Sequence, residues 1–201
     1  MGCGAGVTAL RLYTSFVAAL LSLFATLSAV AQADRPLPST SVPAGPVPES
    51  WKLVEADDQR FRILLPAEPL RTENVRSTWV GSVSELRLQG ELAGAEFIVE
   101  VRDLPPGTRF VVTRNYIFSQ VKEGFLKDGE RPEIFDKEIT LGGYPGRHIR
   151  YEDPAREGGD WVEDALILLA RHRLYFVVVA RQRAREAALP IQAFFRSFEL
   201  W

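Results

Sequence analysis

From Trp51 onward, apolar and polar residues alternate in short runs broken by glycine, proline and acidic turns. "WKLV" and "FRILLP" read as two strands around the polar turn "EADDQ". In "SELRLQGEL", Leu86, Leu88 and, past Gly90, Leu92 fall on one face at a period of two. Ala93 and Gly94 then turn the chain, and "EFIVEVRDL" returns with Phe97, Val99 and Val101 on one face, which predicts a β-hairpin. Pro105, Pro106 and Gly107 end that stretch of sheet. The spacing becomes helical in "VVTRNYIFSQVKEGFLKDG", where Ile117, Val121 and Phe125 recur at i, i+4 and i+8, Phe118 lies beside them and Gly129 is a stop signal.

"EIFDKEITL" and "LGGYPGRHIRYED" are strand-like again, with Gly142 and Gly143 turning the chain and Pro145 and Gly146 leading into the next strand. "WVEDALILLA" and "LYFVVVARQ", separated by Arg171 to Arg173, are continuous apolar runs. Such strands are covered on both faces and belong at the centre of a sheet. A last helical stretch, Ala184 to Phe195, presents Ala187, Ala188, Ile191 and Phe194 or Phe195. Pro190 kinks it or starts a second, shorter helix. The pattern predicts one α/β (α+β) domain over residues 51–201. Its expected form is an α-β-α sandwich with a mostly antiparallel central sheet of six to eight strands and two main helices.

The first fifty residues differ in kind. Arg11 is the only charge before Asp34, Leu12 to Val30 is apolar with small residues, and "AVAQA" places Ala31 and Ala33 at the positions of an A-x-A cleavage site. This predicts a secretory signal over residues 1–33; an uncleaved membrane anchor is the rival, and both export the domain. Cys3, the only cysteine, precedes the apolar run, which argues against a lipoprotein. Asp34 to Ser50 holds five prolines in seventeen residues and reads as an extended linker. Cleavage would leave 168 of the 201 residues and no cysteine. Thiol nucleophiles, thiolate metal sites and disulfides are then excluded, and the domain must stabilise itself by burial. Removing Arg11 from the 24 basic residues leaves 23 against 26 acidic ones, singly interspersed. A nucleic-acid surface, which clusters positive charge, is not expected.

Four segments in order, "FRILLPAEP" (Phe61 to Pro69), "LGGYPGRHIRY" (Leu141 to Tyr151), "RLYFVVVA" (Arg173 to Ala180) and "FFRSFEL" (Phe194 to Leu200), resemble the PsbP-like fold family over residues 51–201. That family includes a photosystem II extrinsic subunit, a nuclear-import factor that binds the GTPase Ran, and exported bacterial proteins without known activity. The resemblance implies an α-β-α sandwich and a role as a binding or assembly accessory. It transfers no site residues, because the photosystem subunit's metal and partner segments have no match here.

Candidate chemistry is sparse. A strand over Arg147 to Glu152 puts His148, Arg150 and Glu152 on one face, a row able to bind an anion. It also puts Ile149 and Tyr151 on the opposite face, as in a half-exposed strand with His148 a passenger on the outside. On that reading His148→Ala changes stability by at most about 0.5 kcal/mol. His172, between Arg171 and Arg173, reads as a solvated hairpin tip. No His-x-x-x-His or cysteine set supports a metal site, and the paired glycines lack the lysine of a phosphate loop, so no cofactor or metal is expected. Adjacent carboxylates in a strand point to opposite faces, so Glu152–Asp153 and Glu163–Asp164 are not read as catalytic pairs, and Asp57–Asp58 lies in a tight turn, where aspartate is favoured for local hydrogen bonds. Asp164, leading into "ALILLA", reads first as a strand end and second as a partly buried carboxylate. Trp79, in the polar "RSTWVGS", is expected on the surface, and Trp51, Trp161 and Trp201 in the core. The expected function is a non-enzymatic binding or assembly accessory of the cell envelope. Its partner would be a protein or small ligand, contacted through Trp79, His148, Arg150 and Asp164, with membrane contact only through an uncleaved signal segment. An envelope hydrolase using Asp164 with His148 is the alternative.

Overall fold

A computed structural model describes residues 48, 50–78, 81–105, 108, 112–126 and 130–201. Trp79, Gly129, the expected signal segment and all but the end of the linker lie outside them. In chain order the elements are β1 (Trp51–Ala56), β2 (Phe61–Pro66), β3 (Leu70–Thr78), β4 (Gly81–Leu92), β5 (Ala95–Asp103) and α1 (Arg114–Leu126). There follow β6 (Glu133–Leu141), β7 (Tyr144–Glu152), β8 (Trp161–Ala170), β9 (Arg173–Gln182), a 3-10 helix (Arg183–Ala188), α2 (Ile191–Ser197) and β10 (Glu199–Leu200).

The large sheet has seven strands in the order β3-β4-β5-β9-β8-β7-β6, and every pair is antiparallel. Two meanders, β3 to β5 and β6 to β9, meet at the β5–β9 pair. The expected hairpin is present with Leu86 opposite Val101 and Leu88 opposite Val99. Its turn residues Ala93 and Gly94 have φ of 50° and 73°, and Gly142 and Gly143 between β6 and β7 have φ of 58° and 80°. Two successive positive φ angles match the right-handed twist of the strands that a two-residue turn joins.

The β8–β9 pair lies within the sheet as expected, and each of its faces meets a different cover. The chain leaving β5 must cross β9, β8 and β7 to reach β6 at the far edge, so α1 is laid over one face. There Ile117, Phe118, Val121 and Phe125 pack on Ile149, Tyr151, Ala165, Ile167 and Phe176. The other face carries Leu166, Leu168, Tyr175, Val177 and Val179 against Phe61, Ile63 and Leu65 of β2 and Phe194 and Phe195 of α2. The sandwich and its mostly antiparallel sheet therefore hold, in the α+β class.

Three details differ from expectation. The main sheet has seven strands, within the expected six to eight; what was not expected is that β1, β2 and β10 form a separate three-stranded sheet that shares the second outer layer with α2. β3 was not foreseen: its largely polar sequence has no alternation, and it is a strand because its backbone pairs with β4 from Leu70–Gln89 to Thr78–Gly81. The last helical stretch is divided at Pro190, with a 3-10 helix before it and α2 after it, the second of the two outcomes that proline allows.

At Gly146 the backbone of β7 leaves no room for a side chain against β8. A Cβ there would lie 2.5 Å from the Ile167 carbonyl oxygen and 2.5 Å from Leu168 Cδ2. At Gly143 an added Cβ meets nothing within 4 Å. Gly146→Ala should therefore lower the unfolding free energy by about 1–3 kcal/mol, the usual range for overpacking. Gly143→Ala should cost only the roughly 1–2 kcal/mol of a left-handed backbone. Urea denaturation of both variants checks the pair; equal and negligible effects would contradict the close approach.

Candidate functional site

Three side chains singled out by sequence come together. His148 and Arg150 of β7 and Asp164 of β8 share the face that carries α2, because Arg150 is registered opposite Asp164 and His148 opposite Leu166. Asp164 is in phase with Leu166, Leu168 and Ala170, so the strand's own alternation turns its carboxylate inward. It is fully buried in the body of the strand, which corrects its first reading as a strand end.

The carboxylate is surrounded by donors. Arg150 Nε donates to Oδ1 at 2.8 Å, and His148 Nε2 is 3.1 Å from the same oxygen. An ionised carboxylate only accepts, so His148 Nε2 carries the proton and donates it. Arg181 Nη2 lies 2.7 Å from Oδ2, off the hydrogen-bonding direction, so that contact is a charge contact. Arg181 extends the inward row Tyr175, Val177 and Val179 by one step, and its side chain has no exposed surface. Glu186 of the 3-10 helix closes the group: its Oε1 is 3.1 Å from both Arg150 Nη2 and Arg181 Nη2. Two carboxylates thus face two guanidiniums.

His148 is not a passenger on an outer surface. Its side chain is 22% exposed and is held edge-on to Phe135 of β6, with centroids 4.8 Å apart, and to Phe195 of α2 at 5.6 Å. The alternation placed it on the correct face; what the sequence concealed is that β6, α2 and the 3-10 helix cover that face. Arg181, Glu186, Phe135 and Phe195 escaped sequence reasoning for the same reason. Arg181 alone left a signal, as a charge in phase with the inward side of a continuous apolar run.

Burial by itself raises the pKa of Asp164. The hydrogen bonds from His148 and Arg150 and the positive charge of Arg181 outweigh it and hold the carboxyl at about 2. A general acid needs the opposite shift. The carboxyl that does move up is Glu100 of β5, pushed by burial against the pull of Arg102 and Arg87. It lies on the opposite face of the sheet, which also carries a second buried group. There the Tyr151 hydroxyl donates to Glu163, and Arg131 donates to Asp153 and to the Phe125 carbonyl oxygen at 3.3 Å.

Trp51 and His172 lie where expected, whereas Trp161 and Trp201 are less buried than expected. Trp51 is in the core against Phe97 and Phe194, and Trp161 is half-buried under Arg156. Trp201 is 47% exposed, because it follows the last strand at the rim of the sandwich. His172 is exposed at the β8–β9 tip, as expected. Among the described residues no group of three or more His, Cys, Asp or Glu is placed to hold a metal ion.

Two predictions follow from the Asp164 group. Asp164→Asn leaves Arg181 and Arg150 short of a counter-charge in a buried place and should destabilise by about 3–5 kcal/mol in urea denaturation. Because the folded pKa lies below the ordinary carboxylate value of 3.8, the ion pair stabilises above that value. Its contribution, about 2 kcal/mol, should be lost as pH falls from about 4 to about 2, and the Asn variant should lack that part of the acid slope. His148→Ala removes an enclosed ring and a hydrogen bond and should cost about 1–3 kcal/mol. A loss under about 0.5 kcal/mol would restore His148 to the surface.

No protein-family model matches the chain, and no curated protein matches it. Solved structures do. The solution structure of cyanobacterial PsbP (CyanoP) from Synechocystis sp. PCC 6803 superposes with a TM-score of 0.54, covering 80% of this chain and 98% of that one at 10% identity. A Pseudomonas aeruginosa protein of unknown function covers 69% of this chain and 90% of its own at 14% identity and a TM-score of 0.35. A Bacteroides thetaiotaomicron protein covers 70% and 45% at 9% identity and a TM-score of 0.39. The likeness to the cyanobacterial protein is one of fold, and it agrees with the four ordered segments: the domain has a PsbP-like fold.

Proposed function

We propose that this chain is an exported accessory domain that binds or assembles with a partner at the cell envelope and carries no hydrolytic chemistry of its own. One observation carries the non-catalytic part: Asp164, the carboxylate expected to work with His148, is sealed from solvent and held near pKa 2 by its donors. Its ionised form is neutralised by Arg150 and Arg181, so it neither gives up a proton nor takes one at neutral pH. The hydrolase alternative requires these two side chains together in a cleft. They are together, but Asp164 faces a closed group of arginines.

Export rests on the N-terminal sequence: Arg11, the apolar run to Val30 and the small-residue exit before Asp34. Among the described residues no helix is long and apolar enough to cross a membrane. The proline-rich segment before Trp51 then serves as a spacer between the export signal and the folded domain.

Two measurements test the proposal. The full chain, produced in its native cell, should be recovered from the envelope or exported fraction, with Asp34 as its first residue if the signal is removed. Recovery from the cytoplasm with Met1 retained would refute export. Affinity capture from the same fraction should return one partner in stoichiometric amount. Turnover of an ester, glycoside or peptide substrate that vanishes in a folded His148→Gln protein would establish the hydrolase instead.

A further inference from the structure

A β-sheet ends on strands whose outer N–H and C=O groups lack a neighbour, and folded proteins blunt such edges with lysine, proline, a bulge or extreme shortness. Among the described residues, three of the four sheet edges are blunted in this way. β6 is bulged between Glu133 and Phe135 and carries Lys137. β10 has two residues, and β1 has six with Lys52 among them. β3 is the exception. It runs nine residues from Leu70 to Thr78 in unbroken register with β4, holds neither lysine nor proline, and pairs with no other strand among the described residues.

The first half of β3 is exposed throughout. Leu70 and Val75 are 69% and 72% exposed, on opposite faces of the strand. Arg71 and Glu73 share one face and bond to each other, with Arg71 Nε donating to Glu73 Oε1 at 2.7 Å. Opposite in sign and two residues apart, they give this stretch no net charge with which to repel a second strand.

We propose that β3 is the contact through which two copies of this chain pair, antiparallel and about a two-fold axis, joining their large sheets edge to edge. Residues that turn their backbone outward alternate along a strand, so identical antiparallel strands match only in registers centred on one residue. Centring on Arg71 or on Glu73 sets identical charges face to face, which is unfavourable. Centring on Asn74 sets Arg71 and Glu73 against Ser77 and Val75, which carry no charge. Centring on Thr72 sets Arg71 opposite the partner's Glu73 and Glu73 opposite the partner's Arg71, and each Thr72 faces its copy. The four charges then alternate in sign around a square. Each has an opposite neighbour along its own strand and another across the interface, so the Arg71–Glu73 bond within each copy is kept. Thr–Thr and opposite-charge pairs are among the cross-strand pairs that stabilise antiparallel sheets.

The occupant is a second copy because the strand is complementary to itself in this register. The proline-rich stretch from Asp34 to Ser50 is unsuited to the same edge, since its five prolines have no N–H to give to a ladder. The pairing involves no member of the Asp164 group. It goes beyond the partner binding proposed above and stands or falls independently of it.

Disulfide cross-linking of the full chain tests the register, with Cys3→Ser so that the introduced thiol is the only one. Thr72→Cys should give a disulfide-linked dimer under mild oxidation, because directly opposed residues of paired strands lie about 4.5–5.5 Å apart. Asn74→Cys should link at least about tenfold less, since in this register the two Asn74 positions are about 13 Å apart, beyond the reach of a disulfide. Sedimentation equilibrium of the unmodified chain should show a monomer–dimer equilibrium. Arg71→Glu should weaken it about tenfold or more, because both cross-strand charge pairs become repulsive. Arg71→Glu combined with Glu73→Arg should restore it, with Tm unchanged in both variants. Preferential linking at Asn74, a dimer that Arg71→Glu leaves intact (as association through the apolar N-terminal run would be), or a double variant that stays monomeric would overturn the proposal. So would a chain that remains monomeric up to about 1 mM and fails to link at Thr72. A different protein cross-linked to Thr72→Cys in the native envelope fraction, with no dimer formed, would overturn it as well.

Discussion

The structure depends on one constraint: β8 and β9 are apolar on both faces, so both must be covered. One cover is forced by connectivity, since the link from β5 to the far edge strand β6 has to pass over β9, β8 and β7. It does so as α1, which brings Ile117, Phe118, Val121 and Phe125 down on Ile167 and Phe176. The other cover comes from the two ends of the domain, where β1 and β2 from its start meet α2 and β10 from its finish. β10 adds only Glu199 and Leu200 to β2, yet this pairing holds the C-terminal residues against the N-terminal hairpin. This second cover is made of small pieces from both ends of the domain.

At one edge those pieces enclose charge. Phe135 and Phe195 pack on His148 beside Asp164, and the buried carboxylate is tolerated because Arg150 and Arg181 meet it and Glu186 balances them. Replacing one member leaves the others uncompensated in a buried place. Elsewhere the β1–β2 turn, the β8–β9 turn and the C-terminal residues line a cavity that shares no residue with this group. Fold likeness alone says nothing about either.

The depth at which each feature could be read follows its physical range. Turns at Ala93–Gly94 and Gly142–Gly143, the β4–β5 hairpin, the centrality of the two apolar strands and the break at Pro190 are local properties, and the residue pattern shows them. β3 was invisible because its strand character comes from pairing with β4 and not from its own hydropathy. The second sheet was invisible because β10 is two residues long and pairs with β2 more than 130 residues earlier in the chain. His148 was placed on the correct face and given the wrong surroundings.

The sequence by itself determined the period of each strand, and with it which side chains share a face: His148 with Arg150, Asp164 with Leu166, and Arg181 with Val179. It also determined, through a chain with no cysteine after Cys3, that the domain stands without disulfides. Only the tertiary structure decided which of those faces would be sealed. Phase along a strand is set by backbone geometry within a few residues, whereas exposure is set by whatever distant segment lands on top. Asp164 became a structural ion because the 3-10 helix and α2 fold back over it.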